Sequence, residues 1–252
     1  MSIKSRLENR VASVELARPE KKNALTAEMY QQLAAALTAA DADPRVRAIL
    51  LHGSQECFTA GNDVGDFLSR TAGAEPPVVE LFKVLPNLAK PIVAAVGGPA
   101  VGIGSTMLLH CDLVYAATNA RFQLPFVPLG IVPEFASTYL LPLLAGYQRA
   151  AELLLLGQPF SAQKAQEIGM VCEVVPAEKL FSRAREAVCM LAALPPESLR
   201  LTKRLLKKRH GAAIAESIAE ETLIFSERLS SPEAREAMSA FLEKRKPDFS
   251  RF

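Results

Sequence analysis

The sequence predicts a mixed α/β core with a small helical appendage, and three observations carry that reading. Short strands that are apolar on both faces alternate with helical patterns through the first half of the chain, as expected for a covered sheet. Glycine-rich turns follow two of these strands. Beyond Glu134 the patterns are almost all helical.

In chain order, residues 11–16 (VASVEL) alternate enough for a strand. The turn-like RPEKKN then leads to a helix over 26–40, with Met29, Leu33, Ala36 and Leu37 on one face and Thr26 as its cap. Residues 47–52 and 91–96 give apolar strands that close at Gly53 and Gly97. Between them 76–88 reads as a helix, and the Gly/Ala/Ser/Thr-rich 68–75 suits a lid or pocket edge. A glycine-rich turn and a buried helix are expected over 97–107, then a short strand over 112–116. Helices follow over 135–144, 147–156, 161–168, 179–193, 196–209, 214–229 and 232–242, broken by Gly146, Gly157, Gly169 and Pro195. The run Leu194-Pro195-Pro196 sets the expected boundary between a core over 1–195 and a helical region over 196–252.

A chain of 252 residues, 50% hydrophobic and 22% charged, buries a core without disulfide or metal staples. Its 29 basic and 27 acidic residues nearly cancel, which argues against nucleic acid or a membrane surface as partner. Cys57, Cys111, Cys172 and Cys189 form no CxxC, and His52, His110 and His210 lack metal-ligand spacing, so neither a disulfide framework nor a metal is expected. No apolar leader and no span of about 20 apolar residues stands out, which makes the cytoplasm the expected compartment. The final Ser250-Arg251-Phe252 differs from the usual peroxisomal address.

The segment GGPAVGIGST invites a nucleotide reading that fails on chemistry. A phosphate loop needs Lys after its last glycine, where Ser105 stands, and the dinucleotide fingerprint needs glycine at Met107. What remains is a sharp turn presenting backbone N–H groups at the start of a helix, suited to a developing negative charge. A second such turn lies in FTAGND, residues 58–63, and the two would converge on one carbonyl oxygen. Turn geometry alone also accounts for each glycine.

The order VELARPEKKNALT, FTAGND, PIVAAVGGPAVGIGST, CDLVYA and LGIVPE, with FLEKRKPDF near the end, resembles the crotonase superfamily of enoyl-CoA hydratases and isomerases. The resemblance implies repeated β-β-α units and a C-terminal helical region that assembles homotrimers or hexamers and closes the coenzyme A site. It implies an oxyanion hole from the backbone N–H groups of Asn62 and Ile103. Coenzyme A, carried as part of the substrate, would meet Lys22, Ala24, Asn62, Asp63, Val64, Phe241 and Lys244; Lys22 also suits a solvated turn. No redox or metal cofactor is implied.

The superfamily's hydratases place two carboxylates at positions that here are Thr106 and Phe126, and neither side chain transfers a proton at neutral pH. Glu134, in LGIVPEFAS, stands where the peroxisomal type of Δ3,Δ2-enoyl-CoA isomerase carries its base; FTAGND, GPAVGIGST and VPEFAS also look closest to that type. The implied reaction converts 3-enoyl-CoA to trans-2-enoyl-CoA through a dienolate. The alternatives are hydration, isomerisation of a cyclic acyl-CoA, or a silent CoA-ester-binding protein. Phe67, Leu68, Phe82, Val101, Phe126, Leu129 and Phe135 are the expected pocket residues. Glu134 also reads simply as an acid in a helix's first turn.

Three other features have structural readings. His52 ends a buried strand. His110 and Cys111 are neighbours whose side chains diverge on a helix. The basic run from Arg200 to Arg209 predicts a charge-complementary helical hairpin with Glu216, Glu220, Glu221 and Glu227.

Overall fold

The computed structural model describes residues 2–63, 65 and 76–252. The expected pocket and coenzyme residues Val64, Phe67 and Leu68, and the segment 68–75, lie outside the described residues.

Nine strands are present among the described residues: β1 (Ile3–Glu8), β2 (Val11–Leu16), β3 (Ala48–His52), β4 (Ile92–Val96), β5 (Pro99–Val101), β6 (Leu113–Ala117), β7 (Arg121–Gln123), β8 (Phe160–Ser161) and β9 (Glu173–Val175). Six form one sheet in the order β1-β2-β3-β4-β6-β9, antiparallel at β1–β2 and parallel elsewhere. The second sheet has the order β5-β7-β8. The helices are α1 (Ala27–Ala42), α2 (Val78–Val84), α3 (Ile103–Thr106), α4 (Ser137–Ala145), α5 (Tyr147–Leu156), α6 (Ala162–Glu167), α7 (Leu180–Ala193), α8 (Pro196–Lys208), α9 (Gly211–Leu229) and α10 (Pro232–Leu242).

Strand alternation explains why β3 and β4 are apolar throughout. Ile49, Leu51, Ile92, Ala94 and Val96 face one core with Leu33 and Leu37 of α1 and Leu81 of α2. Ala48, Leu50, Val93 and Ala95 face another, with Leu180, Ala184 and Val188 of α7. Thr26 caps α1 as expected, its hydroxyl accepting from Met29 N–H at 3.3 Å.

Three successive units share one plan. Each runs along a strand of the large sheet, crosses to the small sheet, and enters a turn before a helix. Thr59 bridges Ala100, and Ala100 pairs with Phe122, so the crossings after β3, β4 and β6 lie side by side. The turns that follow carry Asn62, Ile103 and Glu134.

Several expectations shift for physical reasons. β1 was not foreseen because most of its residues are exposed and carry no apolar alternation; a hairpin with Asn9 and Arg10 both left-handed joins it to β2. The helix expected from 135 starts at Ser137 because Phe135 (φ 63°) and Ala136 (φ 56°) are left-handed. The buried helix after Gly102 has only four α-helical residues before tightening into a 3-10 turn, Met107–His110. The charge-complementary hairpin gives way to pins into the core. Lys203 Nζ donates to Lys90 O and Asp112 Oδ2, each at 2.7 Å, and Lys207 Nζ donates to His110 O at 3.2 Å. Glu221 is buried and bonds to residues before and in α4.

Among the described residues, no helix is long and apolar enough to cross a membrane.

Candidate active site

The Asn62 and Ile103 turns are joined backbone to backbone. Thr59 N–H donates to Pro99 O at 3.0 Å and Val101 N–H donates to Thr59 O at 3.1 Å. Glycine permits the approach: a Cβ on Gly61 (φ 93°) would lie 2.8 Å from Val101 O, and one on Gly104 would lie 2.5 Å from Thr59 Cγ2. Leu25 N–H donates to Gly61 O and Asp63 N–H donates to Leu25 O, so strand alternation turns the intervening Asn62 N–H away from Leu25. Ile103 is the first residue of α3, and its N–H therefore stands outside the helical ladder. Tyr30 fixes the Asn62 side chain, donating to Oδ1 at 2.5 Å.

Glu134 is 3% exposed and lines a narrow cavity of about 20 Å³ with Asn62, Val78, Phe82, Phe225 and Leu229. Phe82, one of the expected pocket residues, thus lines this cavity beside Glu134, together with Thr222, Phe225 and Leu229 of α9, which were not among the expected residues. Phe82 and Thr222 also line a wider groove of about 940 Å³. Phe135 is buried in a stack, its ring 4.3 Å from that of Phe82 and 4.0 Å from that of His110, and its carbonyl accepts from His110 Nε2 at 2.8 Å. Phe126 is buried, and Val101 and Leu129 are half-buried, but none of the three lines the cavity at Glu134. Thr106 is fully buried, its hydroxyl directed to Ile103 O at 3.5 Å.

Other titratable groups are tied to structure. Burial pushes His110 down to about 3, and a neutral ring donating from Nε2 to Phe135 O suits that position. Burial, and secondly the charge of Asp112, push the Cys111 thiol up to about 12; its Sγ faces Met107 O, so it makes no nucleophilic pair with His110. His52 Nε2 lies 2.8 Å from Ser13 Oγ on the sheet. Among the described residues, no group of three or more His, Cys, Asp or Glu side chains could hold a metal.

Of the expected coenzyme residues, Lys22 is exposed and left-handed (φ 50°), with its carbonyl accepting from Ala60 N–H at 2.9 Å. Arg18, which sequence reasoning missed, donates from one guanidinium nitrogen to Ala24 O at 2.9 Å and Asp63 Oδ2 at 2.7 Å. It ties the Lys22–Ala24 loop to the Asn62 turn. Asn23 strengthens the tie, donating to Cys57 O and Phe58 O at 3.1 Å each. Phe241, 60% exposed, and Lys244 lie at and just beyond the end of α10, which packs near the turn Val127–Leu129.

The enoyl-CoA hydratase/isomerase family profile matches residues 6–251. The chain belongs to that family. Its two sheets, repeated β-β-α units and C-terminal helices are the crotonase fold, and a crystal structure of an enoyl-CoA hydratase/isomerase from Pseudoalteromonas atlantica T6c superposes with a TM-score of 0.95 at 41% identity, over 99% of this chain and 100% of that one. The chain is 37% identical to 1,2-epoxyphenylacetyl-CoA isomerase of Escherichia coli (strain K12), over 98% of each. It is 33% identical to 2,3-dehydroadipyl-CoA hydratase of the same organism, over 96% of each. Membership makes the protein a crotonase-superfamily enzyme acting on acyl-CoA thioesters. Hydratases and isomerases both occur among its relatives, and nothing in these likenesses singles out the peroxisomal Δ3,Δ2-isomerase type.

Proposed function

We propose that this crotonase is an acyl-CoA isomerase in which Glu134 is the single proton-transfer group. The observation that carries the reading is the placement of Glu134 in one cavity with Asn62, and Thr106 and Phe126 stand where the resemblance implies the hydratase carboxylates. Glu134 would take a proton from C2 of a 3-enoyl thioester. The electron pair moves to the thioester oxygen, held by the N–H groups of Asn62 and Ile103, and the dienolate takes the same proton back at C4. The carboxylate is regenerated and no water is activated.

Lys22 would meet the coenzyme phosphates, with Ala24 and the Asn62–Asp63 turn holding the adenine end. Phe241 and Lys244 would close over it. The wider groove beyond Phe82 and Thr222 offers room for the acyl part. Leu205, Leu206 and Leu223 stand exposed on α8 and α9, and an apolar surface that gains by being covered supports assembly into a homotrimer or hexamer.

The E. coli relative named for an epoxyphenylacetyl-CoA substrate favours a second reading: isomerisation of a ring-bearing acyl-CoA by the same residue. Relatives named as hydratases favour a third, in which Glu134 alone supports hydration. Product analysis separates them. With 3-enoyl-CoA, 2-enoyl-CoA and cyclic acyl-CoA supplied in turn, the proposal expects movement of the 3-enoyl double bond without added water. Efficient formation of a 3-hydroxyacyl-CoA from the 2-enoyl substrate overturns it.

A further inference from the structure

Glu221 is a buried carboxylate that the proton-transfer scheme leaves without a role. It is 6% exposed on α9, and its bonds cross to residues more than 80 positions away, immediately after Glu134. Oε2 accepts from Ala136 N–H at 2.6 Å, while Oε1 accepts from Thr138 N–H at 3.0 Å and from the Thr138 hydroxyl. Burial raises the Glu221 pKa from its ordinary value, and the bonds from Thr138 and Ala136 oppose that shift.

Those bonds meet a specific local need. The N-terminus of α4 leaves backbone N–H groups without helical acceptors, and its capping position is Ala136, whose side chain has no oxygen to offer. Ala136 and Phe135 are both left-handed without being glycine, a conformation that persists only where surroundings over-determine it. Here the surroundings are the Phe82 and His110 rings against that of Phe135, the His110 bond to Phe135 O, and the Glu221 carboxylate bonded to Ala136 N–H. Glu134 is the residue directly before this pair, so the direction of its side chain follows from how the pair is held.

We propose that Glu221 is a positioning residue: from α9 it holds the left-handed Phe135-Ala136 turn and so aims the Glu134 carboxyl at the reacting carbons. This rests on Glu134 being the base. It makes α9 part of the active site twice, through Glu221 and through the wall formed by Thr222 and Phe225.

The test compares Glu221→Gln with Glu134→Gln, using steady-state kinetics on 3-enoyl-CoA well below the unfolding temperature of each variant. An amide keeps the shape but turns an NH2 toward a backbone or hydroxyl donor, losing at least one of the three bonds. Misplacement of a reacting group by a fraction of an ångström predicts a kcat roughly 10-fold lower, with KM within about twofold. Should Glu221→Gln fail to fold, Thr138→Val removes one bond and is expected to lower kcat about threefold with KM unchanged. A Glu221→Gln variant, or Thr138→Val in its place, that unfolds at lower temperature but keeps full kcat, while Glu134→Gln is inactive, reduces Glu221 to a helix cap and overturns the proposal. Full turnover by Glu134→Gln overturns the base assignment instead, and the role of Glu221 with it.

Discussion

The turns carrying Asn62 and Ile103 are joined to one another by backbone hydrogen bonds between neighbouring units, with Arg18 and Tyr30 adding side-chain ties at Asp63 and Asn62, whereas the loop carrying Glu134 is held by side chains arriving from three other parts of the chain. On the first side, Thr59 bonds to Pro99 and Val101, and glycines at 61 and 104 allow the strands to approach. On the second, Phe82 from α2, His110 before β6 and Glu221 from α9 converge on Phe135 and Ala136. With Asn62 and Ile103 as the proposed oxyanion donors and Glu134 as the proposed base, the difference follows from chemistry. An oxyanion is held by peptide N–H groups that any residue except proline supplies, so the backbone course decides where they point. A base must be one carboxylate in one direction, which calls for dedicated side chains around it.

The backbone-joined side is expected to be most sensitive at its glycines, which let the units approach. The largest effect is expected at Gly98 (φ 58°), where an added Cβ would fall 1.8 Å from Glu56 O, inside the neighbouring unit. Gly98→Ala should lose about 3 kcal/mol or more of stability, read from urea unfolding. Unfolding at the wild-type midpoint would mean the units are less tightly keyed than described. Gly61→Ala is milder for the fold and more selective for function. Its Cβ would press on Val101 O at 2.8 Å and shift the Asn62 turn, so kcat should drop roughly 100-fold, the scale of one lost oxyanion donor. Retained kcat in a folded Gly61→Ala protein would place the oxyanion donors elsewhere.

On the side-chain-built half, the smallest change at neutral pH is expected at His110. Its folded pKa of about 3 lies below the ordinary 6.5, so the neutral ring favours the folded state. That contribution is fully present above about pH 6.5 and is lost as pH falls toward 3, where the unfolded chain binds the proton first. His110→Gln places an N–H donor at the reach of Nε2 for Phe135 O and removes the titration. Its unfolding temperature should therefore fall less steeply than wild type between pH 6.5 and 4. Parallel curves would show that His110 does not carry the acid sensitivity.

How much of this was legible in the sequence follows the same divide. Apolar runs at 47–52 and 91–96 and the glycines after them announce strands and turns locally, and the Asn62 and Ile103 turns do stand at the ends of neighbouring units. Glu134 could be singled out because its neighbours in sequence resemble a family motif. Its surroundings could not. Glu221 looks like one acid among several on a solvated helix face, and only the folded chain shows it buried against Ala136 and Thr138. Arg18 reads as a turn residue, yet it joins the Ala24 loop to Asp63. Long-range polar contacts of this kind leave no period and no spacing. β1 was missed for a related reason: an edge strand with most residues exposed has no apolar pattern to show.

The central claim, that one carboxylate performs the proton transfer, is tested most directly by Glu134→Gln at saturating 3-enoyl-CoA. The amide keeps size and polarity but cannot exchange a proton, so turnover should fall by roughly 100-fold or more while affinity for a non-reacting CoA ester stays within about twofold. Near-normal isomerisation by the folded variant would contradict the account and send the search to the remaining acids near the site. Among the described ones these include Glu221, bonded to Ala136 and Thr138, Asp63, held by Arg18 at 2.7 Å, and Glu80, exposed on α2.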